Sequence, residues 1–192
     1  MKATIILVLC AALAAPVFAE EPKTALLIID IQDFYFPGGK SPLVEPEAAS
    51  ANAAKILAAF RAEGKPVVHV RHEFEPGGSI HASVAPVEGE KVFTKTEVSC
   101  FNGTKVLAHL KEIGVEKLVI VGMQTHMCLE AATRAAHDLG FECVVIADAC
   151  ATRDLTYGDR TVPAADVHAS TLATLNRTYA TVVDTETFLS GE

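Results

Sequence analysis

The chain has 192 residues, enough for one domain with a substantial core and too few for two full ones. Half of the residues are apolar, 21% are charged and no long low-complexity tract interrupts them, which excludes a disordered chain. The formal net charge of -8 comes without a basic stripe, which argues against nucleic acid as a partner.

In chain order, Met1 to Ala19 reads as an export signal. Lys2 gives a positive start, Ile5 to Ala15 is an apolar core too short to span a bilayer, and Val17-Phe18-Ala19 offers the small residues a signal peptidase prefers. Cleavage before Glu20 is expected, leaving residues 20–192 as a periplasmic or secreted domain without membrane contact. The run from Thr24 to Ile29 is a fully apolar strand that ends at the carboxylate of Asp30 and continues as Ile31-Gln32-Asp33-Phe34. A loop rich in Pro37, Gly38, Gly39 and Pro42 leads to a helix from about Pro46 to Ala62, closed by Gly64. Pro66 to Val70 reads as the second strand, with His69 inside it and His72 just beyond. From His72 to Lys91 no period is visible, which marks a long loop.

The short apolar segment Val92-Phe93-Thr94 then delivers Lys95, and a helix is expected from about Gly103 to Ile113. Lys117 to Val121 is an apolar strand that stops at Gly122, and the segment after it enters a helix at or near Cys128. A thiol at a helix N-terminus is favoured as thiolate, the nucleophilic form. That helix ends at Gly140; Phe141 to Ala147 is a further strand, Val162 to Leu175 a helix, and Tyr179 to Val183 a last strand. Strands alternating with helices of this length require parallel pairing through right-handed crossovers. The expected fold is α/β, a three-layer α/β/α sandwich around a mainly parallel, Rossmann-like sheet. Cys143 and Cys150 flank one strand, too far apart along extended chain for a disulfide, and Cys143 is expected in the core.

The order Asp30, Lys95, Cys128, with the contexts Ile29-Asp30-Ile31-Gln32-Asp33-Phe34-Tyr35-Phe36, Lys95 to Phe101 and Gly103-Thr104, and Gly122-x-x-Thr125-x-x-Cys128, resembles the isochorismatase-like cysteine hydrolases. The superfamily includes nicotinamidases and N-carbamoylsarcosine amidases. The resemblance implies a catalytic set of Cys128 as nucleophile, Asp30 as general base and acid, and Lys95 as the group that orients Asp30. It also implies an oxyanion hole from the backbone N–H groups of Gln124 and Cys128, a cis peptide at Met123-Gln124, and a homo-oligomer.

Phe34, Phe36 and Phe101 are candidates for an apolar pocket wall, and His72 and His126 for substrate contacts. Nicotinamidases place an Asp-x-His pair after the second strand. Here the segment reads Arg71-His72-Glu73-Phe74, with His81 further on, so neither a metal nor another cofactor is expected. The expected activity is hydrolysis of a C–N bond in a small amide, ureide or lactam through a thioester. Vinyl-ether hydrolysis is the alternative within enzymes, and a binding or thiol-redox protein the alternative outside them.

Overall fold

The computed structural model describes residues 23–191, so the expected signal segment lies outside the described residues. The elements run Thr24–Ile29 (β1), Pro46–Ala62 (α1), Val67–His72 (β2), Lys91–Lys95 (β3), Val106–Glu112 (α2), Lys117–Met123 (β4), Glu130–Asp138 (α3), Glu142–Ala151 (β5), Leu155–Tyr157 (β6), Arg160–Val162 (β7), Ala164–Leu175 (α4), Thr181–Val183 (β8) and Thr185–Ser190 (α5). The main sheet has the order β3-β2-β1-β4-β5-β8, and every neighbouring pair in it is parallel.

Alternate residues of β1 face opposite layers, and both layers are apolar. Ala25, Leu27 and Ile29 join the cluster that includes Val106 and Leu110 of α2, Ala132 and Ala136 of α3 and Leu175 of α4. Leu26 and Ile28 join the cluster built with Ala53, Ile56, Leu57 and Phe60 of α1, against which Phe188 of α5 packs. A strand buried on both faces has no polar side to alternate with, which is why β1 and β4 read as unbroken apolar runs. The result is the three-layer α/β/α arrangement around a parallel sheet. Among the described residues no helix is long and apolar enough to cross a membrane.

Several boundaries differ from expectation. The segment ending at Lys95 is a strand, exposed at most positions because β3 lies at the edge of the sheet. β4 continues past Gly122 to Met123. β5 extends to Ala151 rather than ending at Ala147, its pairing with β4 shifting register between Ile120 and Gly122. Asp148 is tolerated inside β5 because its carboxylate accepts from Thr185 N–H, Thr185 Oγ1 and Asn52 Nδ2, at 2.8, 2.8 and 2.9 Å. The hairpin of β6 and β7 carried no readable period, since its residues are nearly all exposed. α5 is capped by Asp184, whose side chain accepts from Thr187 N–H at 2.8 Å.

Candidate active site

Strands β1, β3 and β4 deliver the three expected side chains to the carboxyl end of the sheet, with β2 between β3 and β1; open α/β folds build their sites at that end. Asp30 follows the last residue of β1 and adopts a left-handed backbone with φ of +50°, which bends the chain out of the sheet. Gly122 of β4 pairs with Ile29 just before it. A Cβ on Gly122 would stand 2.0 Å from the Ile29 carbonyl oxygen, and its φ is +136°, so only glycine lets β4 close on β1 there. The chain then passes the cis peptide Met123-Gln124 into one π-helical turn, Thr125–Leu129, which carries Cys128. Lys95 ends β3, opposite His72 at the end of β2.

Helical backbone therefore starts at Thr125, three residues ahead of the position expected for a thiol at the N-terminus. Cys128 is 6% exposed, and Asp30 and Lys95 are 0% and 2% exposed. Lys95 Nζ stands 2.8 Å from Asp30 Oδ2, an ion pair whose geometry leaves both carboxylate oxygens without a well-directed hydrogen bond. The same ammonium donates to Cys128 Sγ at 3.3 Å and to the Glu97 carbonyl at 3.1 Å, and approaches His72 Nδ1 at 3.2 Å.

Burial lifts the Asp30 carboxyl above the usual carboxylate range; Lys95 and the Cys128 thiol pull it back only in part. Burial works against the Lys95 charge as well, but the adjacent Asp30 carboxylate outweighs it and holds the amine protonated. The Cys128 thiol is pushed up to about 12 by burial first and by the Asp30 charge second, with Lys95 opposing. The expectation of a resting thiolate is thus corrected: a dry site beside a carboxylate dominates the partial charge of one helical turn. Burial also lifts Cys100, Cys143 and Cys150 to about 12, so what sets Cys128 apart is its contact with Lys95.

The proposed pocket residues divide. His72 touches Lys95, and His126 sits two residues before Cys128 with Nδ1 2.6 Å from Thr152 Oγ1. The three phenylalanines do not form one wall. Phe34 and Phe36 are buried in the α1 layer, where Phe34 packs at a tilt against Tyr35 and Phe74 and Phe36 stacks on His81, whereas Phe101 packs toward Phe141 in the opposite layer. Hydrophobic side chains following a strand end are more strongly drawn to the core than to a pocket rim. His81 is further held through Nδ1, 2.8 Å from Ser83 Oγ. Among the described residues no three His, Cys, Asp or Glu side chains gather to hold a metal ion.

Residues not singled out from the sequence also line the site. Tyr35 places its hydroxyl 3.3 Å from Gln124 Nε2, and its phenol is raised above its ordinary value by burial. Gln32, fully buried, accepts from His72 N–H at 2.7 Å and donates to the carbonyls of His72 and Gly78 at 2.9 and 2.7 Å. An amide two residues after a strand-end carboxylate is a readable signal. Arg153 is exposed and, among the described residues, its guanidinium has no hydrogen-bond or ion-pair partner; after burial, its charge helps lower His126, and it weakly opposes the rise of Tyr35. A cavity of about 370 Å³ lined by Asn52, Asp148, Thr152 and His168 lies beside the site rather than on it, touching none of Asp30, Lys95 and Cys128.

The family model for the isochorismatase domain matches residues 24–187. The uncharacterised isochorismatase family protein YddQ of Bacillus subtilis is 48% identical over 177 residues, which span 86% of this chain and 98% of that protein. The maleamate amidohydrolase of Pseudomonas putida is 29% identical over 187 residues, spanning 84% of this chain and 83% of the enzyme. A crystal structure of an isochorismatase-type hydrolase from Oleispira antarctica superimposes with a TM-score of 0.86 at 48% identity, covering 91% of this chain and all of the other.

Proposed function

The chain belongs to the isochorismatase family of hydrolases, and within it we propose a cysteine amidase that cleaves the C–N bond of a small amide, ureide or lactam through a thioester. One observation carries this reading. Lys95 Nζ bridges Asp30, at 2.8 Å, and Cys128 Sγ, at 3.3 Å, with all three side chains buried.

The bridge makes proton transfer cheap in electrostatic terms. Before transfer the group consists of a thiol, a carboxylate and an ammonium; afterwards it is a thiolate, a carboxylic acid and the same ammonium. The net charge stays at zero, and Lys95 shifts its donation toward the new anion, so no uncompensated charge is created in low dielectric. The thiolate attacks the carbonyl carbon, and the oxyanion accepts from the backbone N–H groups of Gln124 and Cys128. Donors of this kind are each worth roughly 10²–10³ in rate. Collapse breaks the C–N bond while Asp30 returns its proton to the leaving nitrogen, which cannot depart as an anion. Water then attacks the thioester as Asp30 takes its proton; the C–S bond breaks and the sulfur recovers a proton from Asp30.

Arg153 narrows the substrate class. Arg153 follows Thr152, whose hydroxyl meets His126 Nδ1, and an exposed guanidinium there, without a partner among the described residues, is suited to a carboxylate on the substrate. Maleamate, the monoamide of a dicarboxylic acid named for the Pseudomonas putida relative, has that combination. The test is ammonia release from a panel of small amides, ureides and lactams with and without a carboxylate. Hydrolysis of carboxylated members, with a raised KM in Arg153→Ala, is expected; turnover of uncharged amides alone would remove Arg153 from the reading.

A further inference from the structure

His72 is half-buried at the end of β2 and has its two ring nitrogens in different situations. Nδ1 lies 3.2 Å from the Lys95 ammonium, which has no acceptor lone pair, so Nδ1 is the acceptor in this contact. A neutral imidazole that accepts at Nδ1 must carry its proton on Nε2. Among the described residues Nε2 has no partner. Gln32 holds the residue from behind by bonding both its backbone N–H and its carbonyl, and thereby fixes where the ring stands.

The ammonium has three N–H groups and four neighbours in reach: Asp30, Glu97 O, His72 Nδ1 and Cys128 Sγ. As long as Lys95 stays protonated it imposes one tautomer on His72.

We infer that His72 is a specificity residue: Lys95 locks it with the proton on Nε2, and this N–H donates to a second hydrogen-bond acceptor on the substrate, beside the scissile carbonyl. The site then favours substrates with an oxygen there and disfavours those presenting an N–H, which would meet a donor. This rests on the amidase reading for its substrate and on the Lys95 contact alone for its tautomer.

Two measurements on the full chain separate those parts. With 15N-labelled histidine, assigned through His72→Gln, the His72 ring is expected to show an unprotonated Nδ1 and a protonated Nε2, a preference lost in Lys95→Met. A proton on Nδ1 in the parent chain would overturn the inference whether or not any amide is hydrolysed. The second measurement uses side chains that mimic one nitrogen each. His72→Asn keeps an acceptor toward Lys95 but lacks the distal donor. It is expected to leave the iodoacetamide reaction of Cys128 unchanged and to raise KM about three- to tenfold for a substrate with a second acceptor, the size of one hydrogen bond. His72→Gln keeps a distal donor and loses the acceptor, so the alkylation rate should change more than KM. An unchanged KM in His72→Asn, or equal losses of both readouts in both variants, would reduce His72 to a structural role. A chain that shows the tautomer and Lys95-dependent alkylation but hydrolyses no amide would instead overturn the amidase reading.

Discussion

Two histidines of β2, His69 within the strand and His72 at its carboxyl end, each sit in a cluster with a cation and a carboxylate, and the two clusters behave oppositely. In the cluster around His69, its Nε2 lies 2.8 Å from Glu90 Oε2, and Arg61 donates to both oxygens of Glu90 at 2.7 and 2.9 Å. Val87 N–H adds a bond at 3.0 Å. Burial would raise Glu90, yet these donors overcome it and hold the carboxyl down at about 2. At the carboxyl end of β2 Asp30 has one ammonium, off the ideal line, and the Cys128 thiol, and stays above the usual carboxylate range. A carboxylate saturated with donors has nothing left to accept and serves the fold. One starved of them is poised to take a proton from the thiol beside it.

The comparison breaks most visibly if the starved cluster proves dispensable. Cys128→Ala and Cys128→Ser should lower turnover by at least about 10⁴-fold while the fold persists, since little packing is removed. Circular dichroism together with ammonia release checks this, and normal turnover in Cys128→Ala would end the covalent mechanism. Asp30→Asn removes the proton acceptor and should lose about 10²–10⁴ in rate, at least as much as Lys95→Met. The pH dependence of iodoacetamide alkylation reads the same unit. Rates should fall as pH drops through the raised Asp30 pKa, above its ordinary 3.8, because a protonated Asp30 cannot receive the thiol proton. If the profile is identical in the parent, Asp30→Asn and Lys95→Met, the three residues do not act together.

Stability offers the next contrast. Breaking the buried pair from either side should cost about 3–5 kcal/mol, because the remaining group is left uncompensated, whereas Asp30→Asn combined with Lys95→Met should recover much of it. The pH signs of the two clusters differ. Asp30, raised on folding, favours the folded state in acid and loses that contribution as pH rises through its folded pKa. Glu90, depressed from 4.5 to about 2, stabilises above the unfolded value and loses the effect as pH falls toward 2. Glu90→Gln should therefore flatten the acid limb of a Tm-against-pH curve and cost about 1–3 kcal/mol near neutrality, with kcat unchanged. A fall in kcat as large as that of Lys95→Met would mean that the two clusters are coupled through β2.

How much of this was legible in the residues follows the same division. β1, β4 and their exits were readable because strands buried on both faces leave long apolar runs, and the order Asp30, Lys95, Cys128 survived folding into one cluster. The strand at Lys95 was harder, since an edge strand is mostly exposed and carries no period. The state of Cys128 was misread because a local rule about helix ends cannot register that Asp30, almost a hundred residues earlier, returns beside it. The pocket was misread for a related reason: an aromatic run after β1 does not reveal that all three rings, Phe34, Tyr35 and Phe36, enter the α1 layer, with the Tyr35 hydroxyl reaching Gln124.

The smallest effect is expected from the thiol that most resembles the nucleophile. Cys100 is fully buried, its thiol is pushed up to about 12, and it feels the charges of Asp30, Lys95 and Cys128. What it lacks is the Lys95 contact, the one feature that burial does not supply. Cys100→Ala should keep activity within about twofold, and Cys150→Ala likewise, since its Sγ donates to the Ile146 carbonyl at 3.1 Å and makes no hydrogen bond to the side chains of Asp30, Lys95 or Cys128. Brief treatment of the folded chain with iodoacetamide, followed by peptide mass analysis, should find label on Cys128 before either. Equal labelling of Cys100 and Cys128 would mean that burial alone, and not the ammonium at 3.3 Å, governs thiol reactivity here, and the contrast between starved and saturated carboxylates would lose its chemical consequence.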